Sequence, residues 1–336
     1  MRRWLPVAMT ALVLTTSVLT TGCGSKKEPE FTDGRPGLVG SGAGVTDVQP
    51  SGAGDAQSTP AASASAIPPT TGAVVNGATS APIPAGQPQL VRLGVPVAKW
   101  QAEFDRIVAA KYRLVHFDGY EVGSQTFVNA LFRPSDGVAW QSRSNLTASA
   151  YQTAFDQFKA QGYRLADVNS YLVGGQLRYA AIWRKAAGPA WIAYHGVSQS
   201  THQAKLDALT KEGYHPVSIS VVAPNDTPQW TAIYVKEDAG SWLAKSWLTR
   251  AEYQTQWDAA MAKGMRVSYL SATQYAGSVR ISVIFQAGSG AYEARFGLSA
   301  ADAATKTGAN QSAGRLTQAV AGYAAAGSAR FALAWS

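Results

Sequence analysis

The sequence predicts an α+β fold made of about five copies of one unit of roughly 51 residues. Three observations predict it: residues that recur at this spacing, an apolar stripe at helical spacing in each copy, and two extended runs after each stripe. The recurring residues are Asp105, Asp156, Asp207 and Asp258, then Tyr112, Tyr163 and Tyr214, then Trp140, Trp191 and Trp242. Because one copy buries too little apolar surface to fold alone, neighbouring copies are expected to share a core.

The N-terminus has the pattern of a secretory signal. A charged start precedes an apolar run from Trp4 to about Leu19, and small residues lead to Cys23, so residues 1–22 are expected to be removed on export. Cys23 is the only cysteine, which excludes an intrachain disulfide. Gly22 and Cys23 resemble the cleavage site of bacterial lipoproteins, which implies lipidation of Cys23 and anchoring to the extracytoplasmic side of the cell membrane. The alternative is a free thiol behind an ordinary signal.

Residues 23–88 predict a disordered tether. They are mostly Gly, Ala, Ser, Pro and Thr, with Phe31 as the only aromatic side chain, and such a composition buries too little apolar surface to offset its ordering entropy. Residues 89–336 carry nine of the ten tryptophans and form the predicted folded part. The net charge of +8 is spread along the chain, so we expect no nucleic-acid partner, whereas an anionic wall polymer remains a possible one.

The second copy, residues 140–190, shows how each unit is built. Thr147 precedes a predicted helix from about 148 to 161, and Gly162 follows it, which are the residue types favoured at a helix start and end. The apolar stripe of this helix is Tyr151, Phe155 and Phe158. The matching stripes are Trp100, Phe104 and Ile107, then His202, Leu206 and Leu209, then Tyr253, Trp257 and Ala260.

A β-hairpin follows the helix, with its turn at Gly174-Gly175. Alternation along its second strand places Ala181 and Trp183 on one face, and the Trp183 position is aromatic in every copy. A third short strand carries Trp191 and leads into the next helix. The resulting units are about 89–139, 140–190, 191–241, 242–290 and 291–336. The last copy needs one deleted residue and has lost its apolar helix stripe, as expected for a terminal copy with a single neighbour.

Several strings in the second copy carry a family resemblance: Gly162-Tyr163-Arg164-Leu165, Ser170-Tyr171-Leu172-Val173-Gly174-Gly175, Arg178-Tyr179-Ala180-Ala181-Ile182-Trp183 and Gly188-Pro189-Ala190-Trp191. They resemble the bacterial tandem repeat domain that also forms the non-catalytic N-terminal part of fungal polyglycine hydrolases. The resemblance implies a strongly curved, half-barrel-like antiparallel sheet flanked by helices. It implies no peptidase activity, because the chain contains no Ser-x-x-Lys motif.

The recurring aspartates suggest structural pairs rather than catalysis. Each precedes a basic residue by eight positions, and a scaffold needs such a pair in every copy, whereas an active site needs one constellation. The predicted helix-to-strand pairs are Asp105 with Arg113, Asp156 with Arg164, Asp207 with His215, and Asp258 with Arg266.

A second recurring position suggests a ligand-binding row. It holds four cations and one tyrosine, with a histidine beside the tyrosine: Arg92, Arg143, Tyr194, His195, Lys245 and Arg295. If these side chains face solvent, they form an anion-binding row; the alternative is a set of ordinary solvated charges or partners of the aspartates. The four histidines offer no metal-ligand spacing, and His202 occupies an aromatic core position. We therefore predict no metal and no cofactor.

Three functions remain open. The first is a tethered, non-catalytic binding or scaffolding lipoprotein that presents a curved face to a peptide, a protein or a wall polymer. The second is a secreted hydrolase that acts on peptide or glycan, in which one unit would carry a buried acid of shifted pKa, or a Ser-His contact, that its sister units lack. The third is a purely architectural spacer.

Overall fold

The computed structural model describes residues 73–336, which lie within one compact unit, Asp33–Ser336. The predicted signal, Cys23 and the first part of the predicted tether lie outside the described residues. The helices are α1 (Val97–Ala109), α2 (Ala148–Ala160), α3 (Gln199–Lys211), α4 (Arg250–Ala262) and α5 (Ala300–Ser312). The strands are β1 (Val74–Asn76), β2 (Leu90–Pro96), β3 (Tyr112–Val122), β4 (Gln125–Pro134), β5 (Trp140–Leu146), β6 (Arg164–Val173), β7 (Gln176–Arg184), β8 (Trp191–Val197), β9 (His215–Val222), β10 (Gln229–Val235), β11 (Trp242–Leu248), β12 (Met265–Tyr275), β13 (Ser278–Ala287), β14 (Glu293–Leu298), β15 (Thr317–Ala325) and β16 (Ser328–Trp335).

Five units follow one another, each in the order strand, helix, strand, strand. The third strand of a unit pairs antiparallel with both others and lies between them, as β7 does between β5 and β6. The first four helices begin 51 residues apart and the fifth begins 50 residues after the fourth. The α+β repeat architecture predicted from the sequence is confirmed, including the single deletion in the last copy.

The five units close into a ring. We call the second strand of each unit its inner strand: β3, β6, β9, β12 and β15. Each inner strand packs against that of the next unit, and β15 packs against β3. The resemblance implied one curved, half-barrel-like sheet, and here the structure differs. The strands form five separate hydrogen-bonded sheets, because the inner edges of neighbouring sheets meet through side chains rather than through a strand ladder.

Each hydrophobic core lies between two units. The helix and one sheet face of a unit pack against the opposite sheet face of the next unit, as Tyr151 and Trp183 pack with Ile233. The same arrangement joins the last unit to the first, where Leu333 packs with Val91. The recurring aromatic position is fully buried in all five units, at Phe132, Trp183, Tyr234, Phe285 and Trp335. No unit therefore has a complete core of its own.

The fifth unit departs from the sequence expectation because it has two neighbours, not one. Its helix α5 forms without an apolar stripe and buries Ala303, Thr307 and Asn310. Hydrogen bonds replace hydrophobic contacts at the two polar positions. The Thr307 hydroxyl donates to the Ala303 carbonyl oxygen at 2.7 Å, and Asn310 Nδ2 donates to Glu293 Oε2 at 2.9 Å. A buried polar side chain with such a partner avoids most of its desolvation penalty.

The helix ends follow the predicted chemistry. Thr147, Ser198 and Thr249 accept hydrogen bonds from backbone amides in the first helical turn, and Thr249 forms a capping box with Glu252. Gly162 follows α2 with a φ of +80°, the left-handed conformation that glycine adopts without strain.

The folded part begins before residue 89. Part of the predicted tether forms β1, which pairs in parallel with β2, and Ala73 is buried against the first unit. Asn76 Nδ2 donates to the carbonyl oxygen of Ala300 at 2.8 Å, so this segment also contacts the fifth unit. Val74 is among the apolar side chains that pack there, which explains why a mostly small and polar segment is held. No helix within residues 73–336 is long and apolar enough to span a membrane.

Candidate binding site at the centre of the ring

The inner strands carry two columns of side chains that lie at the contacts between neighbouring units. Each column collects, from the five inner strands, the residues that occupy one repeat position. They are defined by their pairing with one and the same repeat position of the third strand. The first column is His116, Asp167, Ser218, Tyr269 and Ala319. The second column is Asp118, Asn169, Ser220, Ser271 and Ala321. These side chains are buried except His116, whose side chain is 11% exposed, and eight of the ten are polar or titratable.

The second column joins neighbouring units. A backbone amide of one inner strand donates to the second-column side chain of the next unit: Gly119 N to Asn169 Oδ1 at 3.0 Å, Ser170 N to Ser220 Oγ at 2.9 Å, Val221 N to Ser271 Oγ at 3.4 Å, and Gly322 N to Asp118 Oδ2 at 2.7 Å. An edge strand otherwise presents unpaired amides, so these side chains replace the missing ladder. Ala321 has no acceptor and makes no such bond.

The first column holds a charged pair. His116 Nδ1 lies 3.2 Å from Asp167 Oδ2, which also accepts the Phe117 amide at 2.9 Å. His116 Nε2 lies 3.3 Å from the carbonyl oxygen of Val320, so both ring nitrogens are engaged. Burial lowers the pKa of His116, but the Asp167 carboxylate, the carbonyl and the more distant Asp118 outweigh it and raise the pKa to about 9. His116 is therefore an imidazolium at neutral pH and links three units.

Asp118 is the one second-column side chain with a carboxyl group. Burial raises its pKa to about 7, against the opposing effects of His116, the Gly322 amide and Asn129 Nδ2, which donates at 2.8 Å. No sister unit has a carboxylate at this position. Asp118 also lines the cavity that opens above the columns.

This cavity, the central depression, lies where the inner strands end and turn back. It has a volume of about 330 Å³ and is lined by residues of all five units. Three carboxylates line it, those of Asp118, Glu121 and Asp226. The described residues that line it include no lysine, arginine or histidine, whereas hydroxyl groups come from serine, threonine and tyrosine residues such as Ser271 and Tyr275. The depression is polar and electronegative.

The predicted row of solvent-facing cations is not continuous. Arg92 is fully buried, and its Nε lies 2.6 Å from Oε1 of the buried Glu103. Lys245 is only 9% exposed, and Arg295 lies 3.1 Å from Glu293. The reason is strand alternation: this position lies on the sheet face that packs toward the unit's own helix. The structure corrects the expectation of one exposed row at these positions.

The remaining members of the row also pack near helices. Tyr194 and Arg143 face the helix of their own unit, whereas His195 packs against α2 of the preceding unit. The Tyr194 hydroxyl lies 2.7 Å from His202 Nδ1 and 3.0 Å from the Tyr234 hydroxyl, inside the third unit. Arg143 is exposed, with its guanidinium 5.3 Å from the centroid of the Phe158 ring. His195 is half-buried and packs on two tyrosine rings. These residues therefore stabilise helix packing rather than form a common surface.

The predicted aspartate pairs are replaced by contacts within helices. Each aspartate is exposed and accepts a hydrogen bond from the glutamine four residues before it: Gln101 to Asp105, Gln152 to Asp156, Gln203 to Asp207, and Gln254 to Asp258, at 2.8 to 3.0 Å. Residues four apart are neighbours on a helix surface, so the glutamine is the nearer partner. The repeated Gln-x-x-x-Asp pattern was visible in the sequence.

The basic partners turn away, toward the loop that follows the third strand of their own unit. Arg113 lies 3.2 Å from Asp136, and Arg266 donates to the Gly290 carbonyl oxygen. His215 Nε2 lies 4.0 Å from Glu237 Oε1. The structure therefore corrects the pairing of Asp105, Asp156 and Asp258 with Arg113, Arg164 and Arg266.

His202 is a core side chain, as predicted. It is 1% exposed and stacks on Trp230, with ring centroids 5.8 Å apart, and burial lowers its pKa to about 4. Within residues 73–336, no group of three or more His, Cys, Asp and Glu side chains is placed to hold a metal ion.

Sequence reasoning missed the two columns. The available signal was divergence inside a repeat: positions 116, 167, 218 and 269 hold His, Asp, Ser and Tyr, while the neighbouring positions 117, 168, 219 and 270 stay apolar. Such divergence indicates a position whose side chain contacts a different residue in each unit.

Comparison with known proteins gives five successive matches to one family model, described as polyglycine hydrolase-like, structural repeat. The matched segments are residues 86–135, 137–186, 188–237, 239–287 and 289–336. Each contains one helix and the three strands of one unit. The chain therefore belongs to the polyglycine hydrolase-like structural repeat family, with five copies of the repeat closed into a ring.

Proposed function

We propose that this protein is a non-catalytic binding protein whose site is the central depression. The observation that carries the proposal is the lining: three carboxylates and several hydroxyl groups, contributed by five units, around a volume of about 330 Å³. Ligand sites are typically concave and carry polar groups that converge from several elements, and the central depression shares these two features. The rest of the ring supplies a rigid frame for it.

Charge favours one of the expected partner classes. The described lining has Asp118, Glu121 and Asp226 but no cationic side chain, so an anionic wall polymer would be repelled. A peptide or protein segment that carries amino or guanidino groups would be attracted. We therefore propose a cationic peptide segment as the ligand.

The buried polar side chains support a non-catalytic role. Asn169, Ser220 and Ser271 each accept a backbone amide of the preceding unit, and both nitrogens of His116 are engaged. A catalytic base or nucleophile must be within reach of substrate and able to exchange a proton. These groups instead hold the ring closed.

A hydrolase remains the second candidate, and one observation favours it. Asp118 lines the depression with a pKa raised to about 7, as a general acid or base would have. Asp118→Asn separates the two roles, because Asn169 already serves as amide acceptor at the equivalent position. The variant should fold normally. Loss of peptide or glycan hydrolysis in this variant alone would establish the enzyme.

The binding proposal is tested with the full chain on an array of hexapeptides of varied charge, beside poly(glycerol phosphate). The variant is Glu121→Gln with Asp226→Asn, and the control removes two exposed carboxylates elsewhere, Asp105→Asn with Asp156→Asn. We expect cationic peptides to bind, with affinity roughly tenfold lower in the first variant and unchanged in the control. Capture of the polymer alone, or equal affinity in both variants, would refute the site.

The tether belongs to the same proposal. Export and lipidation at Cys23 would place the ring outside the membrane on a flexible segment. Cells fed a labelled fatty acid should label the wild-type chain and not Cys23→Ser. A labelled Cys23→Ser chain, or an unlabelled wild-type chain in the membrane fraction, would contradict lipidation at this residue.

A further inference from the structure

A second groove lies in the third unit, at the far end of its inner strand. Strand β9 begins at His215, which lines this groove, and ends at Val222, which lines the central depression. The groove has a volume of about 560 Å³, and its lining includes Glu237, Asp238 and Trp242. It is therefore separate from the site proposed above.

Sister units fill this place with an arginine of the chain itself. The residues equivalent to His215 are Arg113, Arg164 and Arg266. In the fourth unit, the guanidinium of Arg266 lies 5.5 Å from the centroid of the Tyr292 ring and donates to the loop carbonyl of Gly290. An aromatic face and a loop after the third strand thus form a seat for a guanidinium.

The other two arginines contact the equivalent loop of their own units. Arg113 pairs with the loop carboxylate of Asp136 at 3.2 Å. The Arg164 guanidinium lies so close to Gly188 that a Cβ there would overlap it. The loop in each unit is therefore shaped around a planar cation.

In the third unit the seat is present but the arginine is not. Trp242 takes the place of Tyr292, with its ring 6.3 Å from the shorter His215 ring. His215 is 2% exposed, and its Nδ1 is buried without a hydrogen-bond partner. Burial lowers the pKa of His215 despite the nearby Glu237, so the ring adds little positive charge at neutral pH.

The loop of the third unit also gains negative charge. It carries two adjacent carboxylates, Glu237 and Asp238, where the second unit has Ala186 and Ala187. The Glu237 side chain is 51% exposed, so it is accessible to a ligand. Lys236 borders the groove with its Nζ 5.5 Å from the Tyr214 ring centroid.

A lysine at this position does not exclude a guanidinium. The equivalent Lys185 lies 5.8 Å from the Tyr163 ring centroid in the second unit, where Arg164 contacts the equivalent loop. We propose that the groove of the third unit binds an arginine side chain of a polypeptide partner, between Trp242 and the carboxylates of Glu237 and Asp238. The ligand takes the place that Arg266 fills in the fourth unit.

The test uses the full chain and three probes: acetyl-Gly-Arg-Gly-amide and its lysine and citrulline analogues. Binding is followed by calorimetry at low salt and by the indole N–H resonance of Trp242. We expect the arginine peptide to bind roughly tenfold more tightly than the neutral citrulline peptide, because a guanidinium forms charge-assisted, bidentate contacts with carboxylates. The Trp242 resonance should shift on binding.

Two variants test whether the groove of the third unit is the place where the arginine peptide binds. His215→Arg should fold, since three sister units hold arginine there, and should lower the affinity by roughly tenfold because the chain then fills its own groove. Glu237→Gln with Asp238→Asn changes only exposed side chains and should have a similar effect, which keeps the test valid if His215→Arg fails to fold. The control, Asp207→Asn on α3 with Glu212→Gln just after it, should bind as the wild type does.

Three results would overturn the inference: no arginine-peptide binding by the wild-type chain, equal binding of the citrulline peptide, or equal affinity in the groove variants and the control. Because the groove and the central depression lie at opposite ends of β9, Glu121→Gln with Asp226→Asn should leave arginine-peptide binding at the groove unchanged. Failure of one site is thus distinguishable from failure of the other.

Discussion

Gly322 lies at the joint between the fifth and first units, and adding one methyl group there should open the ring. A Cβ on Gly322 would lie 2.6 Å from Asn129 Nδ2 and would overlap the ring of Tyr120. Both neighbours belong to the first unit and are buried. The Gly322 amide also donates to Asp118 Oδ2 at 2.7 Å, so any shift that relieves the overlap lengthens this bond.

The expected cost follows from these two contacts. Overpacking a buried site costs about 1 to 3 kcal/mol, and loss of a hydrogen bond to a charged group costs about 1.5 to 3 kcal/mol. Gly322→Ala should therefore lower the free energy of unfolding by about 2.5 to 6 kcal/mol. The matched control is Gly308→Ala in α5, where a Cβ meets no atom within 4 Å. That change should stabilise the helix by about 0.5 to 1 kcal/mol.

Thermal unfolding followed by circular dichroism measures the difference. At about 2 to 4 °C per kcal/mol for a chain of this size, the midpoint should fall by roughly 5 to 24 °C in Gly322→Ala and rise by about 1 to 4 °C in Gly308→Ala. Amide exchange should accelerate first in β15 and β3. Similar midpoints for the two variants, or accelerated exchange confined to the second and third units, would refute closure between the fifth unit and the first.

Four further outcomes are expected. The pKa values of Asp118 and His116 are raised to about 7 and about 9, so these two groups hold protons in the folded state that the unfolded chain releases at lower pH. Urea titrations should therefore show that the stability of the wild-type chain relative to Asp118→Asn with His116→Gln falls as the pH rises from about 4 to 9. Gln89→Ala removes two buried hydrogen bonds to the Thr317 backbone and should cost about 1 to 3 kcal/mol by the same titration. Trp183→Ala, at a fully buried position, should cost about 3 to 5 kcal/mol in denaturant unfolding. Thr249→Ala breaks the capping box of α4 and should cost about 1 kcal/mol, measured as a lower thermal midpoint; no change would show that the cap contributes nothing.

The sequence predicts the structure of one unit correctly, but it does not predict that the five units close into a ring. Helix and strand positions follow from local rules, since Thr147 and Gly162 delimit α2 and the spacing of Tyr151, Phe155 and Phe158 sets its buried face. Closure depends on the rotation between successive units, which must add up to a full turn over five interfaces and leaves no local sequence pattern. The segment at Ala73 was likewise assigned to the tether by composition, although it is held by contacts with β2 and α5.

The candidate site was harder to predict for the same reason. The row containing Arg92 and Lys245 was chosen for its charge, but strand alternation turns these side chains toward a helix. Asp118 does not stand out in the sequence because it is not repeated in the other units. Its role comes from its contact with Gly322, more than 200 residues away in sequence, which only the closed ring brings together.

Closure of the ring also limits how many copies of the repeat a functional chain can have. In an open array, an added or lost repeat changes only the length, because each interface is formed with whichever copy comes next. Here the last copy must meet the first, so a duplication or deletion would leave two mismatched edges and an exposed apolar face. Unequal recombination between these repeats should therefore yield few functional lengths, and the five interfaces are free to diverge into five different ones.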